Sequence, residues 1–182
     1  MSFLSRLFKP LLGQGGDDRE PVRPLWHRTV ELARDPRWYK AREQSGGGVA
    51  DTVAGRFDAI TLVLCAVLLR MEHEPALVPP SVLLTELFVD DMDGQLRQSG
   101  VGDLVVGKHI GRLVSSLGGR LGALREALAQ PNDAALIAAV ERNVSLGENG
   151  NAPAVATLLR GFAQSLDAAS AEDLLAARIS LP

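Results

Sequence analysis

A short glycine-rich stretch near the middle of the chain has the spacing of a phosphate-binding loop. From Gly102 to Lys108 the sequence reads GDLVVGK, which matches the pattern G-x-x-x-x-G-K of nucleoside triphosphatases. In such a loop, backbone N–H groups surround the phosphates of the nucleotide and the lysine contacts the outer ones. The first question is therefore whether this chain binds ATP or GTP.

Three features of the surrounding sequence argue against a nucleotide site. A phosphate loop follows a β-strand, whereas the residues before Gly102 have the apolar spacing of a helix. His109 stands where a serine or threonine would hold Mg²⁺, and the carboxylate of Asp103 would repel phosphate. We expect Gly100 and Gly102 to form a turn and Asp103 to cap the next helix, and we keep nucleotide binding as an alternative.

No other pattern predicts catalysis or a metal site. The run from Asp90 to Gly94 resembles part of a calcium loop, but the glutamate that would complete the loop is missing. Asp93 and Arg97 instead have the i,i+4 spacing of an ion pair on a helix. The three histidines and the single cysteine lack zinc-ligand spacing, and no G-x-S-x-G motif is present. We therefore predict no metal and no cofactor, while a Ser-His-Asp arrangement of residues distant in sequence stays open at this point.

Composition limits the partners and the compartment. The 182 residues carry a net charge of −3, so the chain lacks the strongly basic character of a nucleic-acid-binding domain, and we expect no nucleic-acid partner. The longest apolar run, Ala59 to Leu69, is shorter than the ~20 residues that span a membrane, and we predict a buried core helix there. The first residues lack a clear secretory signal.

The apolar periodicity predicts an all-α fold, an irregular bundle of about six to eight helices. Asp51 and Thr52 are expected to cap the longest apolar helix, Ser81 the next one, and Pro131–Asn132 to open another. The sequence Ser170-Ala-Glu-Asp173 predicts a capping box before a last short helix. The predicted helices span about 25–34, 51–72, 82–98, 103–128, 131–146 and 152–166, with short helical segments at 36–42 and after residue 170.

Residues 1–24 are predicted to form an N-terminal arm and linker before a helical domain at 25–182. Apolar residues of the arm share one helical face, while Arg6 and Lys9 lie off it. A short basic amphipathic helix can lie in a lipid interface, and it can equally pack on its own domain; both interpretations remain open. The candidate membrane-contact residues are Phe3, Leu4, Leu7, Phe8 and Leu11.

The predicted helix after residue 103 contains several small residues at spacings of three and four, including Gly111 and Gly122. Each glycine costs a helix about 1 kcal/mol relative to alanine, so we expect a compensating gain. We expect close packing within the protein, with a groove for a partner helix as the alternative. Lys108, Arg112 and Arg120 form a loose basic stripe, which is typical of a solvated face and less often of a partner site.

Three stretches together resemble a known family. They are Ala33–Tyr39 (ARDPRWY), Asp51–Asp58 (DTVAGRFD) and Phe88–Lys108 (FVDDMDGQLRQSGVGDLVVGK). This combination is similar to the ubiquinol–cytochrome c chaperone family, the assembly factors of respiratory complex III. The resemblance covers about residues 25–130 and leaves 131–182 as a helical C-terminal extension. It also accounts for the loop-like spacing of Gly102–Lys108 as part of a family motif.

The resemblance implies an all-helical, non-enzymatic chaperone that binds newly made cytochrome b and supports assembly of complex III, together with a second small assembly factor. The chain lacks the family's mitochondrial targeting arm, which fits a bacterial-type homologue in the cytoplasm, peripheral on the inner membrane in one interpretation. The alternative function is a membrane-surface adaptor for another client.

Candidate client-binding and partner-binding residues come from the family motifs and from the basic, glycine-rich helix. They are Trp38, Tyr39, Arg56, Asp58, Asp91, Asp93, Arg97, Asp103, Gly107, Lys108, Gly111 and Arg112.

Overall fold

The computed structural model describes residues 18–44, 46–98 and 106–182, with the backbone alone at residues 42, 95–98 and 106–110. Within these residues the only β-type pairing is an isolated bridge between Val49 and Leu146, so the predicted all-α bundle is confirmed. The helices are α1 (Arg23–Ala33), α2 (Pro36–Tyr39), α3 (Val53–Glu72), α4 (Val78–Gln98), α5 (Val106–Leu128), α6 (Ala134–Asn143), α7 (Ala152–Ala168) and α8 (Ala171–Leu175). Short 3₁₀ turns occupy Glu20–Val22, Arg42–Gln44 and Pro75–Leu77.

Helix α3 is the centre of the bundle. Every residue from Asp58 to Leu69 is buried, because the helix is apolar around its whole circumference and α1, α4, α5 and α7 pack against it. The prediction of a buried core helix at Ala59–Leu69 is therefore confirmed. In the described part of the chain, no helix has the length and apolarity required to cross a membrane.

Side-chain caps fix the starts of several helices. The Thr52 hydroxyl accepts a hydrogen bond from the Gly55 N–H at 3.2 Å, and the Ser170 hydroxyl accepts one from the Asp173 N–H at 3.0 Å. Both confirm the caps that the sequence predicts. Each satisfies one of the backbone donors that the first turn of a helix leaves unpaired.

The predicted start of α4 at Ser81 is wrong. The helix begins at Val78, and the Ser81 hydroxyl lies inside it and donates to the carbonyl of Val78 at 2.8 Å. Pro79 and Pro80, which suggested a loop, lie in the first turn. Proline is tolerated there because the N–H group that it lacks would have no partner within the helix.

The predicted helix at 131–146 is too long at both ends, since α6 covers only Ala134–Asn143. After Asn143 the chain is extended and runs beside residues 47–50. The Ala50 N–H donates to the carbonyl of Ser145 at 2.8 Å, and the Asn151 N–H donates to that of Gly47 at 2.9 Å. These long-range backbone bonds replace the last helical turn that the apolar pattern suggested.

Gly48 makes this backbone pairing possible. Its φ of +61° lies in the left-handed region, and a Cβ added there would lie 2.5 Å from the carbonyl oxygen of Asn149. Glycine alone adopts this conformation without steric cost. The segment 46–50 therefore depends on its glycines for its contact with residues 145–151.

Three glycines of α5 differ from the expectation of close packing within the protein. A Cβ added at Gly111, Gly119 or Gly122 would meet no atom within 4 Å. These three positions therefore do not serve a close approach between helices of the described part of the chain. Their backbone entropy cost is not offset by tight packing here.

We predict that Gly119→Ala and Gly122→Ala each stabilise the protein by about 0.5–1 kcal/mol, because alanine restricts the unfolded chain and meets no obstacle in the helix. Urea unfolding followed by circular dichroism measures the change. The matched control is Gly48→Ala, which should destabilise because of its positive φ. Equal effects of the three substitutions would contradict this account of α5.

We predict that Cys65 reacts with thiol reagents only when the protein unfolds. The residue is fully buried in α3, and burial raises the pKa of its thiol to about 12, which keeps the group neutral at pH 8. Labelling with a chromogenic disulfide at pH 8 should accelerate in parallel with unfolding in urea. Rapid labelling of the native protein would contradict the buried environment.

Candidate functional site

The turn between α1 and α2 positions two aromatic side chains. Asp35 caps α2 by accepting from the Arg37 N–H at 2.9 Å, and its hydrogen bond with the Arg37 guanidinium lowers the pKa of the carboxyl group. Trp38 is 0% exposed and donates its Nε1–H to the carbonyl of Leu32 at 2.9 Å. The Tyr39 hydroxyl donates to the carbonyl of Ala33 at 2.8 Å. Both rings therefore fix the end of α1, and one face of Tyr39 remains accessible.

The first turn of α3 presents an apolar side chain to solvent. Val53, directly after the capping residue, is 87% exposed and is the only strongly exposed large hydrophobic residue in the described part of the chain. Beside it, the Arg56 Nε donates to the Asp51 carboxylate at 2.7 Å, and this hydrogen bond lowers the pKa of Asp51. A Cβ at Gly55 would lie 1.9 Å from the carbonyl oxygen of Ala50, so only glycine permits this tight turn.

These elements border an open groove of about 1330 Å³. Its walls come from the α1–α2 turn, the first two turns of α3, the second half of α4 and the middle of α5. The floor is apolar, because Phe57, Ile60 and Leu113 pack on the hydrophobic core while still lining the groove. The lining residues are Arg34, Pro36, Tyr39, Asp51, Val53, Ala54, Arg56, Phe57, Ile60, Met92, Arg112, Leu113 and Ser116.

A buried ion pair forms the wall behind the groove. The Arg120 guanidinium lies 2.6 Å from the Asp58 carboxylate, and their side chains are only 15% and 7% exposed. Asp58 also accepts from the Ser145 N–H at 2.8 Å. The Arg120 guanidinium carbon lies 5.4 Å from the centre of the Phe57 ring, which gives a cation–π contact. The pair therefore connects α3, α5 and the segment after α6 at one point.

The position of Arg120 corrects the prediction of a solvated basic stripe. Arg112 is exposed, but Arg120 lies two turns further along α5 on the core side and is largely buried. Its Nη1 is buried without a hydrogen-bond partner among the described residues, next to a small cavity of about 250 Å³ that Arg142 and Ser145 also line. Helical spacing alone did not reveal that Asp58 was available to pair with it.

The structure brings only some of the predicted site residues together. Tyr39, Arg56 and Arg112 line the groove, and Gly111 is exposed beside Arg112. Trp38 and Asp58 are buried and do not line the groove, so neither is accessible to a partner. On α4, Asp91 is exposed and Asp93 is half-buried, and neither lines the groove.

Other predictions fall where the structure gives no side chain. For Arg97, Gly107 and Lys108 only the backbone is described, within α4 and α5. Asp103 and the arm residues Phe3, Leu4, Leu7, Phe8 and Leu11 lie outside the described residues, as do the first four positions of the loop-like stretch Gly102–Lys108.

Sequence reasoning missed several groove residues. Arg34 and Pro36 lie within the family-like stretch but were not singled out, and Val53 looked like an ordinary first residue of an apolar helix. Met92 and Leu113 contact the core and also line the groove, and a place in the apolar pattern of a helix does not distinguish these two roles. An unusually exposed valine cannot be distinguished from a buried one by spacing.

The arrangement is that of an all-α protein with a large groove that has an apolar floor and arginines at its border. In the described residues, no group of histidine, cysteine, aspartate or glutamate side chains has the geometry to hold a metal ion. Comparison with known proteins then identifies the family. The family model described as ubiquinol–cytochrome c chaperone matches residues 46–181. Among curated proteins, no sequence match was found.

A solved structure gives the same assignment. The crystal structure of the Cbp3 homologue from Brucella abortus is similar to this chain with 31% sequence identity and a TM-score of 0.77, over 91% of each chain. The chain belongs to the ubiquinol–cytochrome c chaperone family. The family match includes the C-terminal helices beyond residue 130, and membership supports a role in assembly of complex III.

We predict that Arg120→Met destabilises the protein by about 3 kcal/mol, because the Asp58 carboxylate would remain buried without its partner. The double variant Asp58→Asn/Arg120→Met should lose less stability than the sum of the single variants, since it leaves no unpaired charge. Chemical denaturation of the four proteins of this cycle measures the coupling.

A matched control uses another ion pair between the same two helices. Arg125 pairs with Glu72 at 2.6 Å, and their side chains are 43% and 14% exposed, against 15% and 7% for Arg120 and Asp58, so water reaches this pair more easily. Arg125→Met should therefore cost clearly less stability than Arg120→Met. Additive single and double effects at Asp58 and Arg120 would contradict the proposed role of the buried pair.

Proposed function

We propose that this protein is an assembly chaperone that binds newly made cytochrome b in the groove and supports its entry into ubiquinol–cytochrome c reductase. The observation that supports the proposal is that the stretches with the family resemblance line the groove together. The stretches 33–39, 51–58 and 88–108, which are far apart in sequence and carry the family resemblance, all contribute lining residues: Tyr39, Arg56 and Met92 are examples.

The size and chemistry of the groove favour a polypeptide client. Its volume of about 1330 Å³ exceeds the ~300–1,000 Å³ typical of small-molecule pockets. An apolar floor with a polar border suits an amphipathic helix, which lays its apolar face into such a groove. The exposed Val53 extends this apolar surface at the edge. Binding shields apolar client surface and requires no covalent step.

The remaining partner interactions are part of the same proposal. We place Arg97 and Lys108 near the client, because both belong to the family-like motif that continues from the groove residue Met92. Residues 3–11 contact the membrane surface beside the client, and a second small assembly factor binds elsewhere on the chaperone.

We predict that Val53→Glu reduces the capture of cytochrome b from native membranes by roughly tenfold, because a carboxylate replaces the apolar edge of the groove. The side chain is 87% exposed, so the fold should be unaffected. Affinity capture with quantification of cytochrome b by mass spectrometry measures the effect.

The control is Thr157→Glu, at an exposed position of α7 that does not line the groove, where the same charge is added. Its capture of cytochrome b should equal that of the wild type. If the wild-type protein captures a different membrane protein and no cytochrome b, the adaptor function replaces the proposed one. If Val53→Glu and Thr157→Glu behave alike, the client binds on another face.

A further inference from the structure

We propose that the groove is selective for an amphipathic segment that carries carboxylates, and that Arg34 and Arg112 form ion pairs with those carboxylates. This inference rests on the proposed function of the groove as the client site and specifies the chemistry of the segment that enters it. An apolar helix without charged side chains would pack on the floor of the groove but would form no ion pairs with the arginines at its border.

Three of the described residues that border the groove are arginines, and they come from three separate elements. Arg34 follows the last residue of α1, Arg56 lies in the first turns of α3, and Arg112 lies in α5. All three are exposed. Asp51 is the only acidic residue among the described lining residues, and Arg56 already pairs with it at 2.7 Å.

Arg34 and Arg112 therefore supply the unbalanced charge. Neither forms an ion pair with the described residues 18–44, 46–98 and 106–182, so within this part of the chain the border carries two positive charges without an acidic partner. The whole chain has a net charge of −3, and the groove is thus opposite in sign to the protein that contains it. Arginine binds carboxylates through two parallel N–H donors, and it repels a segment rich in lysine or arginine.

The same charge argues against other occupants. The chain's own arm at residues 1–12 has a suitable apolar face, but Arg6 and Lys9 give it the same sign as the groove border. A flat anionic membrane has the right charge but the wrong shape. Ile60 and Met92 line the floor with only 7% and 4% of their surface exposed, so a convex segment is needed to reach them.

Two synthetic peptides test the proposal. Both are amphipathic helices with the same apolar face, and they differ only in having glutamate or glutamine at the polar positions. Fluorescence anisotropy with the full chain measures their affinities at low and at physiological ionic strength. The glutamate peptide should bind about tenfold more tightly than the glutamine peptide, and the difference should shrink with added salt.

Single substitutions connect this preference to the two arginines. Arg34→Gln and Arg112→Gln should each weaken the glutamate peptide about threefold and leave the glutamine peptide unchanged, as expected for exposed ion pairs. The matched control is Arg142→Gln, which removes an exposed arginine that lines the small neighbouring cavity and not the groove. It should alter neither affinity, although it changes the net charge equally.

Equal affinities of the two peptides, or equal effects of the three arginine substitutions, would overturn the proposal. Displacement of the glutamate peptide by phosphatidylglycerol vesicles, but not by phosphatidylcholine vesicles, would assign the arginines to a lipid surface and overturn it as well. Mass measurement of the wild-type protein in solution tests whether a second copy occupies the groove. A dimer that the glutamate peptide dissociates more effectively than the glutamine peptide would support the carboxylate preference, and a dimer that neither peptide dissociates would overturn it.

Capture of cytochrome b separates this inference from the proposed function. If wild type captures cytochrome b while the peptides are not distinguished, the function stands and the charge selectivity fails. If the peptides are distinguished through Arg34 and Arg112 but no cytochrome b is captured, the selectivity stands and the client is another acidic amphipathic segment.

Discussion

The buried contact of Asp58 with Arg120 and the Ser145 N–H is the constraint on which the groove depends. Asp58 lies one turn from Ala54 and next to Phe57, and both of those residues line the groove and the small cavity behind it. Arg120 fixes α5 against α3, two turns from Arg112 and Leu113. A buried carboxylate requires its partners, so this contact sets the distance between the two long walls of the groove.

The apolar helix α3 makes this arrangement possible. With α1, α4, α5 and α7 packed around it, α3 gives the surrounding helices a common surface and leaves only its first two turns to form the site. In the first of these turns, Val53 and Arg56 are exposed and contribute little to the core, whereas Phe57 and Ile60 in the second turn line the groove and also pack on the core. The groove lining and the core therefore overlap in the second turn of α3 and are separate in its first turn, where a substitution such as Val53→Glu changes the groove edge with little effect on folding.

The sequence allowed the fold class, the buried central helix and the caps at Thr52 and Ser170 to be predicted, because periodicity and capping are local properties. The end of α6 was not predictable locally, since its termination depends on hydrogen bonds between residues near 145 and residues near 50. The start of α4 was predicted too late for a different reason, because Pro79 and Pro80 are compatible both with a loop and with the first turn of a helix.

For the site, the family-like stretches supplied Tyr39, Arg56 and, from the basic helix, Arg112, but the pattern could not separate lining residues from supporting ones. Tryptophan and aspartate often make contacts at a protein surface, but Trp38 and Asp58 are buried. Arg34 and Val53 line the groove only because α4 and α5, which are distant in sequence, pack beside them. Which arginine is solvated and which is paired depends on tertiary packing, and for this reason Arg120 was assigned to the wrong environment.

The pairing of residues 46–50 with 145–151 has a consequence for the order of events during synthesis. The residues of the α1–α2 turn and of the start of α3 are synthesised early. The Asp58 carboxylate can accept its hydrogen bond from the Ser145 N–H only once Ser145 has emerged from the ribosome, 87 residues later. Closing so large a loop costs chain entropy before any contact offsets it. The protein therefore completes the support behind the groove late in translation, after all the described residues that line the groove have been synthesised.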